Sequence, residues 1–339
     1  MAITKLVADS LGAGATPNQS AFKNIIINGD MSIAQRSTSV ASITTGGYYT
    51  VDRFNTNLTT LGTWTQSQST DVPSGQGFAK SLKMDCTTAD ASPASGDLLR
   101  ITQLIEGQNL QYLKKGSSSA ESLTCSFWVK SNKTGTYILE IRDRDNSRAI
   151  SKSYTILSSN TWEKKTITFA GDTTGAFNND NGSSLELVFW LGAGTNFTSG
   201  TLATSWGSRT DANTAVGQVN LADSTANEWY ITGVQLETGT TASDFEFLPV
   251  DVNLKRCQRY FYKLLQEQWL FNISNSTSRR TNVDFPVQMR TTPTSTLIFD
   301  TTGTGSGTQF ESKDKVTTYV NGISGDTHLD ADTKFDAEL

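Results

Sequence analysis

Leu123-Thr124-Cys125-Ser126-Phe127-Trp128-Val129-Lys130 alternates apolar and polar side chains, with Trp128 the one apolar member of the second set. A β-strand turns successive side chains to opposite faces, so Leu123, Cys125, Phe127 and Val129 share one face and Thr124, Ser126, Trp128 and Lys130 the other. The pattern continues outward from there. Tyr137, Leu139 and Ile141 alternate with Ile138, Glu140 and Arg142, and a polar turn over residues 143–147 leads back into 149–156. Residues 48–54, 61–65, 78–84, 164–169, 185–191 and 229–236 read as further strands, and Ile25-Ile26-Ile27 runs into the turn Asn28-Gly29-Asp30. Eight or more short strands with no long helix between them predict an all-β fold, an antiparallel jelly-roll β-sandwich.

Composition agrees with that reading. The 339 residues include 37 serines, 49 threonines and 27 glycines, and only 18% are charged. Threonine fits a pleated strand, while serine, glycine and asparagine supply turns. Sixteen phenylalanines, nine tyrosines and seven tryptophans provide apolar bulk for packed cores. The formal charge is -5, and lysines and arginines are scattered apart from one cluster over residues 255–263, so no basic face points to nucleic acid. No run approaches the ~18 apolar residues of a membrane span, and the N-terminus lacks the apolar core of a secretion signal. Both observations lead to the expectation of assembly in cytoplasm without membrane insertion. Cys86, Cys125 and Cys257 are an odd number at wide spacings and read as free core thiols, with no disulfide framework and no metal site.

Three regions follow. Residues 1–23 form a short N-terminal arm in which Ile3, Leu6, Val7 and Leu11 make one helical stripe, ended by Gly12 to Pro17. One short helix is not stable alone in water, so this stripe is expected to dock on another subunit or bundle with copies of itself. Residues 24–250 are the sandwich, with a long irregular stretch over 192–227. Residues 251–339 form a smaller β domain, entered by a helical connector over 251–258 that Asp251 caps before a strand over 259–265. Its later strands are expected at 271–273, 283–286, 297–299 and 316–320, ahead of a carboxylate-rich tail.

Several segments, in one order, resemble bacteriophage tail-fibre and related virion structural proteins, notably of marine and cyanobacterial phages. They are Asn24-Ile25-Ile26-Ile27-Asn28-Gly29-Asp30-Met31-Ser32-Ile33-Ala34-Gln35-Arg36, Gly47-Tyr48-Tyr49-Thr50-Val51-Asp52-Arg53-Phe54, Ser126-Phe127-Trp128-Val129-Lys130, and Thr161-Trp162-Glu163. Ile231-Thr232-Gly233-Val234-Gln235-Leu236-Glu237, Cys257-Gln258-Arg259-Tyr260 and Phe285-Pro286-Val287-Gln288-Met289-Arg290-Thr291-Thr292-Pro293 continue the series. The resemblance implies a jelly-roll domain similar to carbohydrate-binding modules, on an external virion protein that is usually a homotrimer. The implied partners are other virion proteins and host-surface glycan or lipopolysaccharide. The implied alternatives are a capsid-bound fibre, a decoration protein or a tail connector with a structural role.

Glycan-binding modules stack sugar rings on exposed aromatics, which makes Trp64, Trp128, Trp190 and Trp206 the candidates. Trp128 and Trp190 stand opposite the apolar set of their strands. The plainer reading is that loops or neighbouring subunits cover both, because large aromatics mostly serve burial. Trp206, inside the long loop, is the better exposed candidate, while Trp162 and Trp229 are assigned to packing. Arg256, Arg259, Tyr260 and Tyr262, with Lys255 and Lys263, suit either an anionic ligand or a packed connector, and the enrichment of Arg and Tyr at interfaces favours the connector. Asp143, Asp145 and Asn146 have a calcium-like spacing but lack the glycine and the later glutamate of a calcium loop, so a solvated turn is preferred. The resemblance to jelly rolls that carry a structural calcium near the chain's entry and exit implies Asp30 and Glu237 as its place here, and no other cofactor is expected. The single histidine, His328, removes serine–histidine and cysteine–histidine schemes. A glycan depolymerase, which needs two carboxylates flanking a glycosidic bond, is the lesser reading beside a non-enzymatic one.

Overall fold

The computed structural model describes residues 22–264, 266, 268–270, 279–301, 307–320 and 327–339. The chain divides into two compact units, Met1–Phe247 and Leu248–Leu339. Ile3, Leu6, Val7 and Leu11 of the expected docking arm lie outside the described residues. No helix among the described residues is long and apolar enough to cross a membrane.

The first unit is an antiparallel jelly-roll sandwich of two six-stranded sheets. The front sheet has the order β1 (Ser39–Ile43), β3 (Thr63–Ser69), β4 (Ser81–Thr88), β12 (Glu228–Thr238), β6 (Leu123–Ser131), β9 (Glu163–Phe169). The back sheet has the order β11 (Gly207–Ser208), β8 (Arg148–Ile156), β7 (Gly135–Asp143), β10 (Ser183–Ala193), β5 (Leu98–Glu106), β2 (Asn55–Thr59). Inward residues of both sheets meet in one core that holds Leu123, Cys125, Phe127 and Val129 of β6 and Tyr137, Leu139 and Ile141 of β7. Phe127 packs edge-on against Phe189 of β10 and Tyr154 of β8, with centroids 5.1 Å apart in each pair. The alternation therefore decides which side chains enter the core, as its period requires.

β12 organises the front sheet. Its first residues pair with β4, and it pairs with β6 on its other side, with a bulge between Thr232 and Gln235. At that bulge Gly233 has φ +63°, and a Cβ there would come 2.6 Å from the Phe78 ring, so only glycine fits. Where β4 leaves, Asn24 to Gly29 takes its place. Ile25 N donates to Leu236 O at 2.9 Å, Asn24 Nδ2 to Val234 O at 3.0 Å, and Val234 N to Gly29 O at 2.9 Å. Residues 25–27 are thus bonded to β12 without forming the regular strand expected of them.

Residues 48–54 also depart from expectation. Arg53 adopts φ 72°, which breaks an extended run, and the buried Asp52 carboxylate accepts from Gln35 N and Gln35 Nε2 at 3.0 and 2.5 Å. This polar pin holds a turn where aromatic and β-branched composition suggested a strand. Conversely, β1, β2 and β5 stand outside the strands expected from sequence. Cys86, Cys125 and Cys257 are buried free thiols.

The second unit begins with helix α2 (Val250–Gln258), named so because one helical turn, α1 (Thr195–Thr198), precedes it. Asp251 lies in the first turn of α2, but its N-cap is Pro249 and no side chain caps it, which corrects the expected role of Asp251. The described strands form three small sheets, β13 (Phe261–Lys263) with β21 (Lys334–Asp336) and β16 (Thr294–Thr296), β14 (Gln268–Leu270) with β20 (Thr327–Leu329) and β17 (Phe299–Thr301), and β15 (Arg279–Asp284) with β19 (Lys315–Val320) and β18 (Gly307–Glu311). Leu264, Val283, Met289, Val316, Leu329, Phe335 and Ala337 make its core. Residues 271–273, expected as a strand, lie outside the described residues. The tail expected after residue 320 contains β20 and β21.

Candidate functional site

The outer face of the front sheet carries one row of side chains set by strand register. Lys83 of β4 pairs with Tyr230 of β12, and Tyr230 with Lys130 of β6. Glu163 of β9 pairs with Val129, so Trp162 stands one position beyond the ladder, beside Lys130. Cations and rings thus alternate as Lys83, Tyr230, Lys130 and Trp162. Lys130 Nζ lies 4.3 Å from the Tyr230 ring centroid and 5.7 Å from that of Trp162, and Lys83 Nζ lies 5.5 Å from Tyr230. Each such contact contributes about 0.5–2 kcal/mol, more as water is excluded.

Carboxylates frame the row. Asp71, in the loop after β3, accepts from Lys130 Nζ and, through Oδ1, from Trp162 Nε1 at 2.9 Å. Glu228 accepts from Lys83 Nζ at 2.6 Å and from the Tyr230 hydroxyl at 2.7 Å, and Asp85 lies 3.7 Å from Lys83. Partial burial pushes all three carboxyls up, but hydrogen bonds from Lys130 and Trp162 bring Asp71 below its ordinary value, and those from Lys83 and Tyr230 do the same for Glu228. At Asp85 burial prevails over Lys83 and, with the neighbouring Glu228 charge, leaves its carboxyl raised. Burial and the bond to Glu228 push the Tyr230 phenol up. The Trp162 indole is half-buried, as are those of Trp128 and Trp206, and the carboxylates of Asp71 and Glu228 are 43% and 35% exposed. The row therefore offers a flat π surface, ionised acceptors and ammonium donors within one patch. Asp85 and Glu228 sit side by side on one sheet face and share Lys83, unlike an acid and a base on opposite sides of a bond.

The expected tryptophans fare differently. Trp128 does lie on this face, half-buried, with Thr232 and Lys164 as cross-strand neighbours. Trp206 is half-buried: its Nε1 donates to Ala170 O at 2.7 Å and its ring faces Lys115 Nζ at 5.6 Å. Trp64 and Trp190 are both 0% exposed, which removes them as sugar platforms. Trp64 turns into the main core and donates to Leu61 O at 2.7 Å. Trp190 does turn outward from the back sheet, but Phe197 and Ala215 of the long loop cover it. Trp229 packs in the core as expected, whereas Trp162 belongs to the surface row and not to packing alone.

Arg256, Arg259, Tyr260 and Tyr262 lie in the second unit. Arg259 Nη1 donates to Gln288 O at 3.3 Å, the Tyr260 carbonyl accepts from Ala337 N at 2.7 Å, and Tyr262 stacks on Phe335 with centroids 6.0 Å apart. Asp143 is paired with Lys115 at 2.5 Å and bonded to Asn146, and Asp145 is bonded to Asn178. Glu237 accepts from Ser243 N and its hydroxyl, and Asp30 from the Ser32 hydroxyl. Among the described residues no group of three or more His, Cys, Asp or Glu could hold a metal ion.

No family model and no curated protein matches this chain. Solved structures similar to it include the enzymatically active domain of tailspike protein 4 of bacteriophage CBA120, at 17% identity and TM-score 0.34, over 65% of this chain and 22% of that one. The module TmCBM61, solved with β-1,4-galactotriose, is 11% identical at TM-score 0.31, over 64% of this chain and all of that one. A family 11 carbohydrate-binding module of a Clostridium thermocellum cellulosomal cellulase is 13% identical at TM-score 0.27, over 60% of this chain and 98% of that one. Likenesses this slight carry no argument about ligand. This chain spans about a fifth of the tailspike domain it matches.

Proposed function

We propose that this chain is a non-enzymatic fibre protein of a bacteriophage virion that attaches to host-surface glycan through the outer face of its front sheet. The observation that carries the proposal is the row Lys83, Tyr230, Lys130 and Trp162 with its ionised frame, Asp71 and Glu228. The open part of the half-buried Trp162 indole receives the apolar face of a sugar ring, while carboxylates and ammonium groups bond to hydroxyls. The ordered motifs quoted from the sequence support the virion assignment. In that setting the N-terminal arm docks on other virion proteins, the assembly is a homotrimer, and several weak sites act together through multivalency. A pull-down of purified protein on host cells or their lipopolysaccharide tests this. Binding is the expected result, and the absence of binding by the assembled oligomer overturns attachment.

A structural role on the capsid or tail is the second reading, and one observation favours it. Asn24 to Gly29 and Ile231 to Glu237, two of the segments that resemble the virion family, are bonded to each other and so describe the scaffold more than any ligand surface. Locating the protein in a virion reconstruction separates the two, because a tail-distal position suits attachment and a capsid position suits decoration. Incubation with host polysaccharide tests a depolymerase. Unchanged polymer size is expected.

A further inference from the structure

The outer face of the back sheet holds a second constellation, unrelated to the front row. Glu140 and Arg142 of β7 turn outward beside Glu186 and Trp190 of β10 and Arg100 of β5. The loop over residues 194–220 covers part of this face, with Ser151 Oγ bonded to Thr214 O and Ile138 N to Gln218 Oε1. Next to that cover a cleft of about 330 Å³ is lined by Arg142, Asp143, Arg144, Ser147, Arg209 and Asp211.

Depth sorts the charges in this cleft. The Glu140 and Glu186 side chains are 0% and 3% exposed, whereas Arg144 is 41% exposed at the opening. The two glutamates hold the guanidiniums from beneath. Glu186 Oε2 lies 3.0 Å from Nη1 of both Arg142 and Arg144, and Glu140 Oε1 accepts from Arg209 Nε at 3.1 Å. A guanidinium has five N–H donors in a rigid fork, so pairing at one edge leaves other donors for a ligand. Arg142 Nε is buried beside Glu140 Oε1 at 3.9 Å, beyond hydrogen-bond distance, so the Nη edge is the one that reaches the cleft. Asp143 is paired with Lys115, which Asp172 shares, so the lining Arg142, Arg144 and Arg209 meet Glu140 and Glu186 beneath them and Asp211 at the rim, while Arg100 lies over the Trp190 ring. Three of the six residues that line the cleft are arginines, in a chain of net charge -5. Asp211, 58% exposed at the rim, pairs with Arg209 and occupies the position an incoming anion would take.

We infer that this cleft binds the oxyanion of an acidic saccharide, a carboxylate or sulfate group received by the outer edges of Arg142, Arg144 and Arg209. The site stands apart from the front row and does not need it. Calorimetric titration of the full chain with oligogalacturonate, sulfated dextran oligomers and neutral maltohexaose, at fixed ionic strength, tests the assignment. At least one anionic oligomer is expected to bind, and which one does so distinguishes carboxylate from sulfate. Arg144→Ala, an exposed position whose loss leaves the fold intact, should weaken that binding at least fivefold. Lys255→Ala, which removes an exposed charge in the other unit, and Trp162→Ala should leave it unchanged. The inference is overturned if neither anionic oligomer binds, if Arg144→Ala and Lys255→Ala behave alike, or if Arg144→Ala weakens maltohexaose binding equally.

Discussion

The two outer faces of the sandwich arrange similar charges at different depths. On the front sheet, lysines lie between aromatic rings, and Asp71 and Glu228 remain half-exposed, so hydrogen bonding wins over partial burial and holds both carboxyls below their ordinary values. On the back sheet Glu140 is fully buried, and burial raises its carboxyl despite Arg209, Arg142, Arg100 and the Trp190 indole. Depth therefore decides whether an acidic group works as a surface acceptor or as a buried anchor for arginines. The front face has acceptors and a ring in contact with solvent, and the back face has donors.

The largest effect should come from removing the buried anchor. Glu140→Ala leaves the Trp190 Nε1–H without its acceptor and Arg209 with the exposed Asp211 alone, and breaking such a buried pair costs about 3–5 kcal/mol. Chemical denaturation should show this loss, and a cost below about 1 kcal/mol would mean that the back face is wetter than described. Next comes Trp162→Ala, which should lower glycan binding about tenfold while changing stability by at most about 1 kcal/mol, because the side chain is only half-buried. A stability loss matching that of Glu140→Ala would erase the contrast.

Acid titration sharpens the comparison further. Asp71 and Glu228 bind fewer protons folded than unfolded, so their stabilisation is present above their ordinary values of 3.8 and 4.5 and is lost as pH falls through the lower folded values. Glu140 has the opposite sign, and its contribution is lost as pH rises through its raised value. Asp71→Asn should therefore flatten the fall in stability of the wild type between about pH 5 and 3, as followed by thermal melts. An unchanged slope would show that Asp71 is not engaged by Lys130 and Trp162. The smallest effect belongs to Arg144→Ala, which should shift stability by no more than about 0.5 kcal/mol.

Much of the sandwich was legible because alternation reports which face of a strand enters the core. That sufficed for β6, β7, β10 and β12. It failed for Leu98 to Glu106, where Leu98, Leu99, Ile101, Leu104 and Ile105 break the alternation, and this is the strand that carries Arg100. Periodicity also says which way Trp190 turns and nothing about what lies over it, so a covering loop removed it as a platform. The sequence assigns Trp162 to packing for a different reason. Its neighbours Lys130, Tyr230 and Asp71 are 32, 68 and 91 residues away in sequence, and only the register of β9, β6 and β12 brings them together. The motifs that resemble virion proteins were easy to see because scaffold contacts such as Asn24 with Val234 demand particular residues, and a ligand surface makes no such demand on neighbouring positions.

The most direct test is the binding of wild type and Trp162→Ala to an array of bacterial lipopolysaccharides and capsular polysaccharides, with Lys255→Ala as control. Attachment through the front face predicts that wild type and Lys255→Ala bind the same glycan and that Trp162→Ala loses about tenfold in affinity, close to 1.4 kcal/mol. Wild type that binds no glycan, or Trp162→Ala that binds as well as wild type, would contradict it.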